Sequence, residues 1–174
     1  MPQPGCVDSE TKSFGIGALR SGKRLAIDVG SVRIGVASCD PGGVLATPLA
    51  TVRRGRGDID EIARLGGEHC AIEIVVGLPT SLSGKPGTAA ADARVFAREL
   101  AGRVAPVPVR LVDERFTTTI AHARLQAGGR DARQRRDSVD KAAAALLLQS
   151  ALDAERLSGD PAGELVGAEA GDAR

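Results

Sequence analysis

Aromatic residues are nearly missing from this chain of 174 residues, which has three Phe, no Tyr and no Trp. Binding single strands by stacking bases on aromatic rings is therefore excluded as a main mode, and the core has to be built from Ala, Val, Leu and Ile. Cysteine stops at three, Cys6, Cys39 and Cys70, with no CxxC spacing. That pattern gives neither a disulfide framework nor a zinc site, and it fits free thiols in a reducing cytoplasm. No apolar run approaches membrane-spanning length, and the N-terminus lacks a continuous apolar signal segment. The expectation is a soluble cytoplasmic protein with no membrane partner.

What is present fits one domain with a real core. The formal net charge of +1 is unevenly spread. Residues 1–22 are balanced and mix Pro, Gly, Ser and charges without periodicity, as expected of a disordered leader. Residues 158–174 set Arg174 against Asp160, Glu164, Glu169 and Asp172 and are read as a disordered acidic tail. The body, 23–157, is mildly basic, which permits a polyanionic partner without requiring one.

The body is organised around Lys23 to Ala37, KRLAIDVGSVRIGVA. Leu25, Ile27 and Val29 alternate with Ala26 and Asp28, so this is a strand with an acid near its end. Gly30 permits a tight turn, and Ile34 to Ala37 is the hairpin partner. Asp40-Pro41-Gly42-Gly43 is a turn. Val44 to Val52 is a third strand, and Pro48 suits it to an edge. Helical spacing is read over Asp58 to His69 and from Thr88 to about Leu100, with a strand at Ile72 to Val76 between them. A strand at Pro106 to Val112 runs into Asp113 and Glu114. A helix from Thr117 to about Gln126 and a last one from Ser138 to about Leu157 complete the order. The predicted fold class is α/β: a five-stranded mixed sheet, three antiparallel strands then two parallel, flanked by helices.

Three acidic features fall where such sheets collect ligands, beyond the carboxyl ends of the strands. Asp28 ends the first strand, Asp113 and Glu114 end the last, and Asp140 is read in the first turn of the final helix. Asp137 and Asp140 have capping-box spacing, which is the structural alternative for Asp140. Against it, Asp140 lies in line with Ala144, Leu147 and Ala151 on an apolar face. Carboxylates gathered without His or Cys are hard oxygen ligands that suit Mg2+ or Mn2+. Two such ions serve in-line hydrolysis of phosphodiesters.

DVGSVRIGVA, GLPTSLSGKPG, VDERFTT and SVDKAAAALLLQ, in this order over residues 23–157, resemble the YqgF/RuvX family of RuvC-like, ribonuclease H-like nucleases. The resemblance implies a ribonuclease H-like fold and a divalent-metal nuclease. Family members are described as Holliday junction resolvases and as nucleases maturing pre-16S ribosomal RNA. By carry-over the catalytic, metal-holding carboxylates would be Asp28, Glu114 and Asp140. Strand alternation points Asp113 and Glu114 oppositely, so one of the two is the principal ligand, and Glu114 is favoured.

Basic residues near these motifs are candidate contacts for nucleic acid: Lys85 in the loop after the fourth strand, Arg115, Arg124, Arg130, Arg133, Arg135 and Arg136. Arg53, Arg54 and Arg56 are read as solvated, with contact to phosphate as the lesser alternative. His69 is read as solvated or pairing with a helix dipole, and His122 as structural. A symmetric junction resolvase needs two active sites, hence a homodimer. The competing readings are a non-catalytic nucleic-acid-binding module of the same fold and an actin- or sugar-kinase-like nucleotide-binding protein. The second closes two domains over its nucleotide, for which this chain is short.

Overall fold

Alternation in the first strand sorts the sheet into two faces. The computed structural model describes residues 19–79, 87–114 and 132–167, without the side chains of 132–138. β1 (Arg24–Val29) sends Leu25 and Ile27 to one core and Ala26 to another. Asp28 follows Ala26 to that second face. β2 (Arg33–Cys39) and β3 (Ala46–Arg53) continue as an antiparallel meander. Pro48 sits on the edge strand, beside a register irregularity opposite Val36 and Ala37, where its missing N–H breaks no central ladder.

α1 (Asp58–Glu68) begins with Asp58, Asp60 and Glu61 in its first turn, where acids complement the helix dipole. β4 (Glu73–Leu78) then returns parallel to β1, and after α2 (Thr88–Val104), β5 (Val109–Asp113) lies parallel to β4. α1 and α2 cover the Leu25–Ile27 face with Ile62, Leu65, Phe96 and Leu100. α3 (Ala132–Ser158) covers the other, with Ala143, Ala144, Leu147, Leu148 and Leu152 against Ala26, Ala37, Val75 and Val112. Small side chains on that face let one helix lie close to the strands.

Two expectations need correction. The sheet has six strands, not five, in the order β3-β2-β1-β4-β5-β6. The sixth, β6 (Glu164–Leu165), lies in the stretch read as a disordered tail and pairs antiparallel with β5. Val166 beside it packs on the core. Two residues carry no periodicity, so this pairing leaves no local signal. α3 also starts six residues before Ser138, because Ala132 to Arg136 are good helix formers that extend the helix upstream. Asp140 is therefore not in the first turn, which holds no acid, and the capping-box alternative fails.

At the amino ends of the parallel strands a charged network closes the sheet. Glu155 of α3 accepts hydrogen bonds from Arg20 Nε and Nη2, both at 2.9 Å, and from Arg24 Nη2 at 3.0 Å. Glu73 accepts from Arg20 Nη2 at 2.9 Å and Arg110 Nε at 3.0 Å. Arg24 is 1% exposed and Glu155 4%. Burial pushes the Glu155 carboxyl up, but hydrogen bonds from Arg20 and the charges of Arg24 and Arg20 outweigh it, leaving it below its ordinary 4.5. The hydrogen bond to Glu155 in turn raises Arg20 above its usual value.

Cys39 is a buried free thiol, whereas Cys70 is disulfide-bonded, so the expectation of three free thiols fails there. Sequence spacing does not show which thiols meet in space. Among the described residues no helix is long and apolar enough to cross a membrane.

Candidate active site at the carboxyl end of the sheet

Asp28 is 6% exposed and stands in β1 with a glycine on either side of it across the sheet. On one side it pairs with Gly35 of β2. On the other, the parallel register Ile27–Val76 continues to Gly77 of β4. Gly77, expected in the loop after that strand, is instead a strand residue paired with Val112. Both glycines lie on the α3 face, since their flanking Ile34, Val36 and Val76 fill the opposite core.

Each glycine makes room for one of the other acids. A Cβ on Gly35 would fall 2.0 Å from the carbonyl oxygen of Asp140 and 2.5 Å from its carbon, so the α3 backbone rests directly on β2. A Cβ on Gly77 would fall 2.9 Å from Glu114 Oε1 and 3.1 Å from Leu147, so the Glu114 carboxylate lies over β4. Asp28 is thus bracketed, with Asp140 above the strand on one side and the Glu114 carboxylate above the strand on the other. Adjacent strands are only about 4.8 Å apart. Asp113 does not join them. It pairs with Leu78, and alternation from Val112 turns it to the α1–α2 face, away from Glu114.

Among the described residues no group of three or more His, Cys, Asp or Glu side chains is placed to hold a metal ion. The donor set still fits a hard cation. It is all oxygen, it sits on a floor without side chains, and Mg2+ keeps several waters and is held by one or two carboxylates rather than by a closed protein cage. Asp28, Asp113, Glu114 and Asp140 all make contacts with other groups of the chain.

A sequence profile described as RuvX, Holliday junction resolvase, matches residues 22–154. The chain belongs to the RuvX family. A relative from Thermobifida fusca is 55% identical over 155 residues, covering 85% of this chain and 98% of its own length. One from Nocardioides is 57% identical over 153 residues with the same coverage. Both carry the name "Putative pre-16S rRNA nuclease". Among solved structures, Thermus thermophilus RuvC in complex with a Holliday junction substrate aligns with a TM-score of 0.50 at 17% identity, over 76% of this chain and 95% of that one. That likeness is one of fold, and it agrees with the ribonuclease H-like architecture the four motifs imply.

In this RuvX-family chain the sequence reading missed the two glycines. The signal for Gly35 was the second glycine of DVGSVRIG, following a strand start where a side chain would be expected. Lys85, Arg115, Arg124 and Arg130, with His122, lie outside the described residues, as do the side chains of Arg133, Arg135 and Arg136 and the predicted helix from Thr117. His69 stands at the C-cap of α1, the helix end where it was expected.

Proposed function

We propose that this chain is a divalent-metal-dependent nuclease acting on structured nucleic acid, either the precursor of 16S ribosomal RNA or a four-way DNA junction. Asp28, Glu114 and Asp140 are its catalytic and metal-holding carboxylates. The observation that carries the reading is the bracketing of Asp28 by Gly35 and Gly77, which seat Asp140 and Glu114 beside it. The family description and the names of relatives more than 50% identical supply the substrate classes.

Mg2+ or Mn2+, as a pair of ions in this reading, supplies a water of lowered pKa and offsets charge on the leaving oxygen. Asp28 is the fixed point, buried and paired with Gly35 of β2, one residue beyond the last β1–β4 pair. Asp140 is carried on a helix whose backbone is locked to β2. Glu114 follows the last residue of β5, so its carboxylate is the adjustable one of the three. Lys85, Arg115, Arg124, Arg130, Arg133, Arg135 and Arg136 hold the nucleic-acid backbone in this reading, and symmetric junction cleavage requires a homodimer.

The test is cleavage of a four-way junction and of pre-16S RNA side by side, with Mg2+ or Mn2+, by wild type and Asp28→Asn, with mass measured in solution. A nuclease loses cleavage in the variant but still binds. Wild type that binds and never cuts leaves only a binding module.

A further inference from the structure

The peptide unit joining Asp140 to Lys141 rests on β2. A Cβ on Gly35 would fall 2.0 Å from the Asp140 carbonyl oxygen and 3.1 Å from the Lys141 nitrogen. Gly35 is the ladder partner of Asp28, so the main chain of Lys141 is fixed one strand away from the buried acid. Lys141, Ala145 and Gln149 follow one another at steps of four along α3 and share a line on its surface. Gln149 Oε1 accepts from the Ala46 amide at 2.9 Å and Nε2 donates to Val44 O at 3.3 Å, so this line lies on the β3 side. Side chains of a helix lean toward its amino end. Glu155, near the far end of α3, meets Arg24 at the amino end of the sheet. The helix therefore begins at the carboxyl end, and the Lys141 side chain leans that way.

Lys141 is half-buried, yet among the described residues it makes no hydrogen bond and no ion pair. Its neighbours among the cations are engaged. The Arg54 guanidinium bonds Asp58 and lies 4.8 Å from the centre of the Phe96 ring, which corrects the expectation that Arg54 is solvated. Arg33 has contacts of its own, as do Asp28, Asp113, Glu114 and Asp140. Lys141 pairs with none of these acids, although its own main chain is bonded to one of them. An ammonium drawn partly out of water without a partner is unfavourable. A cation held beside acids and kept apart from them is left for an anion that the folded chain does not supply.

We propose that Lys141 is a substrate-binding residue whose ammonium holds a phosphate of the nucleic-acid backbone next to the one being cut. The inference rests on the nuclease reading above and deepens it, since Lys141 was not among the cations expected to hold nucleic acid. A lysine suits the place because its charge is a point on a long apolar stem, which packs along the β3 side while the charge reaches outward. Such a contact sets the position of the backbone and carries no base information. Its place gives it a second effect. A positive charge next to Asp140 opposes a divalent cation there, so Lys141 favours the phosphate at the expense of the metal.

The experiment uses the full chain and two readouts. The first is fluorescence anisotropy with a labelled four-way DNA junction and a labelled stem-loop RNA, over a salt series, with EDTA present so that nothing is cut. Lys141→Gln weakens binding by about tenfold, as for one lost charge-assisted hydrogen bond, and lowers the slope of log K against log salt by roughly 1, for one phosphate no longer held. Lys141→Arg restores both, and Arg98→Gln, an exposed arginine of α2 in the opposite layer, changes neither. The second is calorimetry with Mn2+ alone, whose affinity rises a few-fold in Lys141→Gln; a merely structural lysine would not raise it. Wild-type affinity and slope in Lys141→Gln overturn the proposal, and so does a fall in Mn2+ affinity, or a binding loss that Lys141→Arg does not restore. If Asp28→Asn still abolishes cleavage in those cases, the nuclease reading stands without it. Weakened binding in Lys141→Gln together with full cleavage by Asp28→Asn keeps the contact and overturns the assignment of the acids. Wild type that binds neither probe overturns both.

Discussion

The two ends of one sheet treat buried and half-buried acids in opposite ways. At the amino end, Glu73 and Glu155 are each met by arginines from several elements, and the network ties the segment before β1 to β4, β5 and α3. At the carboxyl end, Asp28 lies between Gly35, on which the Asp140 backbone rests, and Gly77, over which the Glu114 carboxylate lies. Acid beside arginine is a finished, structural arrangement. Acid beside acid is one that, in the proposed reading, a cation completes. The residue types are the same, so the number of buried carboxylates in a chain says little about where its chemistry lies. What surrounds each of them decides it.

The comparison breaks most readily at Asp28. Asp28→Asn should lower cleavage on the order of a thousandfold, the upper range for losing one preorganised charged group at a reacting phosphate. The fold should survive, with an unchanged or higher thermal midpoint. Cleavage at the wild-type rate would remove the distinction between the two ends.

Glu155→Ala is the counterpart at the other end. It leaves Arg24 buried without its carboxylate and should cost about 3–5 kcal/mol of stability, read from denaturant unfolding. Cleavage per folded molecule should not change. A loss of cleavage at full folding would mean that the network serves the site directly.

Gly77→Ala sharpens the comparison. The new methyl meets the end of the Glu114 side chain, which can move, and Leu147. Metal affinity, measured by calorimetry, should fall about 10–100-fold, as for a displaced ligand support. Stability should change by no more than about 1–3 kcal/mol. Gly35→Ala meets backbone instead, which cannot yield, and should destabilise the fold as a whole.

The smallest effect is in pH. The Glu155 carboxyl is lower in the fold than its ordinary 4.5. Its contribution to stability is therefore complete above about pH 4.5 and is lost as the pH falls through the folded value. Unfolding free energy measured from pH 6 downward should fall more steeply below 4.5 for wild type than for Glu155→Gln. Parallel curves would show that Glu155 is not held down by its arginines.

β1, its acid and the hairpin were legible because alternation, an out-of-place carboxylate and Gly30 all lie within ten residues. That Asp113 and Glu114 point oppositely was legible too, since it follows from strand period, while the preference for Glu114 came from the family resemblance alone. Gly35 and Gly77 were not, because what matters about a glycine is the group lying above it, here from α3 and from the end of β5. The start of α3 was misplaced because Asp137 and Ser138 look like a cap, while the residues before them are as helix-prone as those after. Glu73 and Glu155 gave no signal at all. Their partners come from Arg20, Arg24 and Arg110, far apart in the chain.

Both margins of the sheet are blunted. β3 carries Pro48 and a shifted register, and β6 is a two-residue stub whose Glu164 reaches Arg94. Neither offers another polypeptide a continuous ladder of free amides and carbonyls to extend. Two copies joining to cut a symmetric junction would have to meet through helices or loops, and growth of the sheet into open-ended fibres is closed off from both sides.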